Sequence, residues 1–291
     1  MKPLSRRRLK FLKSLALLSQ IRWYNILMLV TGQYLAALFV FAPEGDKLST
    51  LFDTNTHLVI WSGALVLSFG FLINSFYDLE SDSINRPQQT AFERLVSKRT
   101  SLRIAITLLL IAMVMSVTVS YRAFLFYGLY AFALWLHSHK LKTIPIVSHS
   151  SAAILALVPF FGISVYQQYL SIHTFAFGAL LGLTLFSREL LKDLMMFKGD
   201  VLVGRSTVAS EYGLGQTRFA LLIGNSIAWI PAFFTRDLFS DIAEKGIFLI
   251  LVMLTLSNLA TLRTNELKDL KWAHLGYKII ILLGILTIPF L

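Results

Sequence analysis

The chain contains no cysteine. That excludes disulfides, thiolate metal sites and a cysteine nucleophile. Charge is also scarce: Asp, Glu, Lys and Arg make up 15% of the residues, against roughly 25% in soluble domains. The acids are the rarer sign, 16 against 27 Lys plus Arg, for a formal net charge of +11. Histidines are few, and His137, His139 and His149 lack a metal-ligand spacing. Short alternating segments of the kind a transmembrane barrel needs are missing. So is any basic face interleaved with stacking aromatics, and no nucleic-acid partner is expected.

What the chain has is apolar length. Hydrophobic residues make up 56% of the sequence, with a mean hydropathy of +0.66, where soluble domains hold roughly 45–50%. They fall in runs without the polar stripe of a soluble amphipathic helix. The fold class expected is all-α, a polytopic membrane protein. Nine apolar cores can be drawn, at residues 23–41, 58–76, 104–119, 124–136, 144–165, 172–186, 219–234, 247–259 and 277–291. Several are shorter than the ~20 residues a crossing needs and must extend into their flanks. The third and fourth join through little more than Ser120-Tyr121-Arg122, a tight helical hairpin.

Positive charge tests this topology. With nine crossings, every Lys and Arg except Lys47, Arg122, Arg236 and Lys245 falls on the side of the N-terminus, if Lys278 in the first turn of the ninth core is included. Lys and Arg accumulate on the cytoplasmic side of membrane proteins, so the N-terminus is expected inside, in a bacterial-type inner membrane. Residues 1–20, with Arg6, Arg7, Arg8, Lys10 and Lys13 among Leu9, Phe11 and Leu12, are expected to lie on that surface as a basic segment of a single domain spanning 1–291. Arg22 interrupts the following apolar run, and no small-residue cleavage site follows, which argues against a signal peptide.

Acids gather at two places, both predicted at the cytoplasmic face. The second core ends in Asn74-Ser75-Phe76-Tyr77-Asp78-Leu79-Glu80-Ser81-Asp82. On a helix, Asn74, Asp78 and Asp82 at i, i+4 and i+8 share a face. Two carboxylates and an amide oxygen there suit Mg²⁺, which takes hard oxygen ligands and is often completed by a substrate phosphate. A solvated helix end would look similar. The sixth core ends in a second cluster, Arg188-Glu189-Leu190-Leu191-Lys192-Asp193 through Lys198-Gly199-Asp200, with Asp193 and Asp200 nearly eclipsed at i and i+7. Each cluster is followed by a basic, hydroxyl-rich stretch: Arg94 to Thr100, and Gly204-Arg205-Ser206-Thr207. The halves read as weak copies of one unit, and repeat-built membrane proteins often place a site between the copies. Acids together with bases at one membrane face suit a magnesium diphosphate whose tail lies in the bilayer. Glu80 and Glu189 read as helix-end solvation or local pairs, and Lys198 and Arg205 as positive-inside anchors. Gly178 and Gly182 read as a close helix–helix contact.

With those residues in place, the chain resembles the UbiA superfamily of intramembrane prenyltransferases. Asn74-x-x-x-Asp78-x-x-x-Asp82 followed by Asn85-Arg86-Pro87 is similar to the family's first aspartate motif, and Arg188 through Asp200 to its second. Arg22-x-x-Asn25 resembles its R-x-x-N opening, and His137-Ser138-His139-Lys140-Leu141-Lys142 its Tyr-Ser-x-x-Leu-Lys segment. The chain departs from the family where Ser75, His137 and Met196 stand in place of Asp, Tyr and Asp, and in the segment after Pro87, where Arg94 is the matching Arg. The wording of the second motif resembles the branch containing digeranylgeranylglyceryl phosphate, homogentisate and chlorophyll synthases.

The resemblance implies a UbiA-type helical bundle that moves a prenyl group from an allylic prenyl diphosphate to a membrane-associated acceptor, an aromatic quinone precursor or a glycerol-phosphate-type lipid. It implies Mg²⁺ held by Asn74, Asp78 and Asp82 and by Asp193 and Asp200, with the four aspartates as the catalytic set. Lys142, Arg94, Arg188 and Lys192 are the implied diphosphate ligands, and Arg22 and Asn25 line the substrate cavity. Phe71, Phe76, Tyr77, Trp135 and Phe186 are aromatic candidates for sheltering an allylic cation. A secondary transporter is the alternative from another class, and an impaired relative that binds lipid diphosphates without turnover is a third reading, motivated by Met196.

Overall fold

The computed structural model describes residues 5–42, 46–168, 172–235, 240–262, 264 and 266–291. Lys2, Arg236 and Arg263 of the charge count lie outside the described residues. The described secondary structure is helical throughout. A surface helix α1 (Arg6–Ile21) leads into α2 (Trp23–Ala36), which ends in a π turn at Ala37–Phe41. Then come α3 (Lys47–Phe52), α4 (Thr54–Tyr77) and two short helices, α5 (Leu79–Asn85) and α6 (Pro87–Glu93). The hairpin α7 (Lys98–Val119) and α8 (Tyr121–His139) follows, then a 3₁₀ turn at Leu141–Thr143. The second half holds α9 (Val147–Gln167), α10 (Ile172–Leu202), α11 (Val208–Thr235), α12 (Asp241–Leu262) and α13 (Leu267–Thr287).

Seven of these are long and apolar enough to cross a membrane: Trp23–Phe41, Thr54–Tyr77, Lys98–Val119, Val147–Gln167, Thr174–Leu202, Asp241–Leu262 and Leu267–Phe290. The nine expected crossings also included α8 and α11, which are not among these seven; α8 carries Arg122, His137 and His139, and α11 carries Glu211, Gln216, Arg218 and Asn225. Both nevertheless pack within the bundle, α8 against α4 and α9, and α11 against α10 and α12.

Polar contacts inside the bundle are local solutions to backbone problems. Pro159 in α9 has no N–H to give Leu155, and the Tyr130 hydroxyl of α8 donates to the Leu155 carbonyl at 2.9 Å instead. Gln33 of α2 donates to the Pro159 carbonyl at 2.9 Å, and Tyr127 donates to the Val59 carbonyl at 2.6 Å. Asn225 joins α11 to Thr255 of α12 at 3.0 Å, and Tyr277 of α13 donates to Asn258 of α12. Such bonds hold helices together where apolar contact gives no preference over lipid. Gly178 and Gly182 do form the expected close contact: a Cβ at either would meet Phe161 at 2.8 Å or Leu157 at 3.0 Å on α9. Ser120 caps α8 by accepting from the Ala123 N–H, which makes the one-residue hairpin link possible.

Helix α10 decides where the site lies. Its 31 residues give a rod of roughly 46 Å, longer than the ~30 Å hydrocarbon layer. Its last turns, with Asp193 and Asp200, therefore extend towards the membrane surface and meet α5 there.

Candidate active site

The end of α4 breaks at Asp78, which caps its C-terminus and starts α5. Asn74, Asp78 and Asp82 therefore do not sit on one straight helix as their spacing predicts, yet all three line the same cavity of about 910 Å³. Asp193 and Asp200 face it from α10, and Lys142 reaches it from the 3₁₀ turn. The two acid clusters, separated by more than a hundred residues in sequence, thus share one cavity.

Asp78 is its electrostatic centre. It is 8% exposed, and it accepts hydrogen bonds from Lys142 and, at 2.9 Å, from the Asn74 amide. Lys142 also donates to Asn74 Oδ1 at 2.6 Å. Arg205 approaches Asp78 at 3.7 Å and Asp200 at 4.0 Å. Burial alone would raise the Asp78 pKa, but the charges of Lys142 and Arg205 hold it at about 2. Burial lowers the Lys142 pKa, and Asp78 opposes that shift. Asp82 is paired with Arg86 at 2.6 Å. Burial of Arg86 favours its neutral form, but the bond and charge of Asp82 outweigh this and raise its pKa.

The second cluster is engaged differently. Asp193 accepts the Val208 N–H at 3.0 Å, so one of its oxygens serves the N-terminus of α11, and the same oxygen lies 2.9 Å from His149 Nε2. Asp200 accepts Ser81 at 2.8 Å and Asn85 at 3.2 Å, both from α5. This junction needs Gly199, because a Cβ there would lie 2.2 Å from Asn85 Oδ1. Lys192 is bound by Glu189 at 2.5 and 2.7 Å, the local pair expected of that glutamate. Met196 lies in the cavity wall.

Arg22, Asn25, Arg188 and Lys192 also line the cavity, whereas Arg94 does not. Helix α6 lies against α1, where Ser19 donates to the Glu93 carboxylate at 2.7 Å and Gln20 to the Glu93 carbonyl at 2.8 Å. That contact turns Arg94, at the end of α6, into a small separate cleft with Ser75 and Lys98. Arg205, expected to be a surface anchor, occupies the inward position instead. Its signal was present in the basic stretch after the second cluster, but nothing in the spacing told it from Lys198. Of the aromatic candidates, Phe71 lines the cavity, while Phe76, Tyr77 and Trp135 are exposed. Phe186 packs edge-on against His149 at 6.1 Å between ring centres. Phe160, Trp23 and Tyr24 complete the aromatic wall. His149 was missed as well: it is buried against Asp193, a contact between α9 and α10 that no local motif announces.

The donor set suits Mg²⁺ in kind, since Asn74 and the aspartates offer only hard oxygens. Among the described residues no three His, Asp or Glu converge into a preformed cage.

The sequence profile of the UbiA prenyltransferase family matches residues 18–277. The chain therefore belongs to the UbiA prenyltransferase family, and with its apolar helices it is an integral membrane protein. A digeranylgeranylglyceryl phosphate synthase of Pyrococcus horikoshii is 26% identical over 257 residues, covering 84% of this chain and 87% of that protein. The apo structure of a UbiA homologue from Aeropyrum pernix superposes with a TM-score of 0.71 at 18% identity, over 90% of this chain and 97% of that one. A UbiA homologue from Archaeoglobus fulgidus, bound to GPP and Mg²⁺, gives 0.65 at 16% identity, over 94% and 99%. At these identities the structures establish a shared fold.

Proposed function

We propose that the protein is an intramembrane prenyltransferase, one domain over residues 1–291, crossing the membrane nine times with its N-terminus and both acid motifs at the cytoplasmic face. The observation that carries this is the convergence of both acid motifs, Lys142 and Arg205 on one cavity that also has an apolar wall at Leu67, Phe71, Leu134 and Phe160. The GPP and Mg²⁺ bound by the Archaeoglobus homologue support the substrate class, and the Pyrococcus relative supports a prenyl acceptor in the membrane.

In this reading a prenyl diphosphate enters with its head at Asp78 and its tail along Leu67, Phe71, Leu134 and Phe160. Lys142 and Arg205 turn from Asp78 towards the diphosphate and stabilise its growing charge as the C1–O bond breaks. Bound at Asn74, Asp78 and Asp82, with Asp193 and Asp200 opposite, Mg²⁺ would neutralise the same leaving group. The bonding pair leaves with the diphosphate, the acceptor forms its bond to C1, and the acceptor proton passes to the departing diphosphate or to water at the mouth. The apolar and aromatic wall keeps water from the allylic cation. Arg205 replaces Arg94 as diphosphate ligand in this assignment.

The test is diphosphate release from geranylgeranyl diphosphate by the reconstituted protein, with Mg²⁺ and a lipid and quinone-precursor extract. Release that requires Mg²⁺, stops with EDTA and vanishes in Asp78→Ala is the expected result. Ion-coupled solute uptake into vesicles with no diphosphate release would establish a transporter instead.

A further inference from the structure

The proton shed by the acceptor needs a base before it reaches the departing diphosphate or water. The carboxylates of the cavity wall are each already bound to a cation, a side-chain donor or a backbone N–H. His137 is placed differently. It lies in the last turn of α8, is partly buried and lines the cavity. Lys142, which holds Asp78, belongs to the 3₁₀ turn that follows α8. The charges of Lys142 and Asp78 act on the ring, and so do those of Glu189 and Lys192 on α10. His137 thus stands near both acid motifs.

Ser151 of α9 fixes its tautomer. The Ser151 hydroxyl donates its single proton to the Val147 carbonyl at 2.6 Å. Its oxygen is then left to accept from His137 Nδ1, 2.8 Å away. With that proton on Nδ1, the neutral ring keeps its lone pair at Nε2. Among the described residues no group is hydrogen-bonded to Nε2, and the atom is not enclosed by protein as His149 Nδ1 and His274 Nδ1 are. Because the ring lines the cavity, this open nitrogen gives onto it. The other histidines of the wall are worse placed. His149 spends its Nε2 on Asp193. His274 lies among Arg188, Lys192 and Lys278 with Glu189 as counter-charge, so a proton gained there would join three cations. At His137, Asp78 and Glu189 stand against Lys142 and Lys192.

We propose that His137 is a catalytic base of the transfer, its Nε2 receiving the proton of the acceptor. This deepens the prenyl-transfer reading and rests on it. For a hydroxyl acceptor, an oxygen lone pair forms the bond to C1, and the C1–O pair leaves with the diphosphate. The O–H pair stays on the acceptor oxygen while its proton moves to Nε2. The imidazolium, eased by the charges of Asp78 and Glu189, then gives the proton to the diphosphate or to water and regains its neutral form. A tyrosine, the family's residue at this position, carries a hydroxyl too weakly basic to take a proton in this way.

The experiment uses the full-length protein in liposomes with labelled geranylgeranyl diphosphate, Mg²⁺ and the lipid and quinone-precursor extract, and measures diphosphate and prenylated product. His137→Phe keeps a ring without a base, and His137→Asn keeps an amide N–H for Ser151. Both should lose product formation by about 10²-fold or more, the scale of general-base catalysis, while their binding of geranylgeranyl diphosphate with Mg²⁺ stays unchanged. Imidazole added to His137→Ala should recover product. Ser151→Ala frees the tautomer and should cost about tenfold, the scale of one hydrogen bond, and Ser151→Thr should restore the rate. Product at the wild-type rate from His137→Phe or His137→Asn overturns the base. A parallel loss of geranylgeranyl diphosphate binding assigns the ring to substrate positioning and also overturns it, as does a His137→Ala variant that imidazole leaves unchanged. Wild-type protein that releases no diphosphate refutes the prenyl-transfer reading itself, and this role with it.

Discussion

The two acid motifs carry the same residue type to the same cavity, but their oxygens are committed differently. Asp78 of the first motif is held by side-chain cations, Lys142 and Arg205, which arrive from two separate loops. Asp193 and Asp200 of the second are tied to the fold itself, through the α11 backbone, His149 and the side chains of α5. Cations on flexible stems can exchange a carboxylate for an incoming phosphate at little conformational cost. A backbone N–H at a helix start cannot move away without unwinding that helix. The first motif therefore reads as the part that meets substrate, and the second as the part that also fixes the frame. Met196, where the family has an acid, agrees with a second motif already drawn towards a structural role.

Separating stability from turnover breaks or sharpens this comparison. Asp78→Asn should lower the rate of diphosphate release by about 10²–10³-fold, the scale of losing an electrostatic group at a reacting centre, and at neutral pH it should also lower the melting temperature in detergent, because the depressed Asp78 pKa is a stabilising contribution that the amide lacks. Asp193→Ala should do the reverse in emphasis, costing about 1–2 kcal/mol of stability as a cap and buried partner are lost, readable as a lower melting temperature. If both variants lower the release rate alike, the distinction between the motifs is lost.

A smaller effect tests the α5–α10 junction. Gly199→Ala should destabilise by about 1–3 kcal/mol, since an overpacked contact must shift its neighbour. The neighbour is Asn85, held by Ser81 and Asp200. In the Gly199→Ala, Asn85→Ala double variant much of that cost should disappear, a non-additivity that thermal melts would show.

The pH dependence follows from Asp78. Its folded pKa is about 2 against an ordinary 3.8. A depressed carboxylate contributes stability that is complete above the ordinary value and is lost as pH falls through the folded one. Melting temperature should thus be insensitive to Asp78 above about pH 4 and should fall between there and about pH 2, and Asp78→Asn should flatten that part of the curve. The smallest expected effect is that of Met196→Asp. A carboxylate restored to the cavity wall should lower the Mg²⁺ concentration for half-maximal release by a few-fold, since affinity follows ligand charge. A flat response would remove the argument that Met196 weakens the site.

Much of this was legible in the residues. Apolar runs announce membrane helices because each must satisfy its own backbone in lipid. The i, i+4 and i, i+7 spacings announce shared faces, and the order of the motifs announces the family. The sequence alone could not choose between Arg94 and Arg205, since both follow an acid cluster and both are basic. The packing of α6 on α1 decided that, by turning Arg94 into another cleft. Nor could it reveal the His149–Asp193 contact or the His137–Ser151 bond, which join separate helices. Local pattern determines the helices and the face each residue occupies. Which faces meet, and so which groups are paired and which are left open, depends on long-range packing that only the tertiary structure decides.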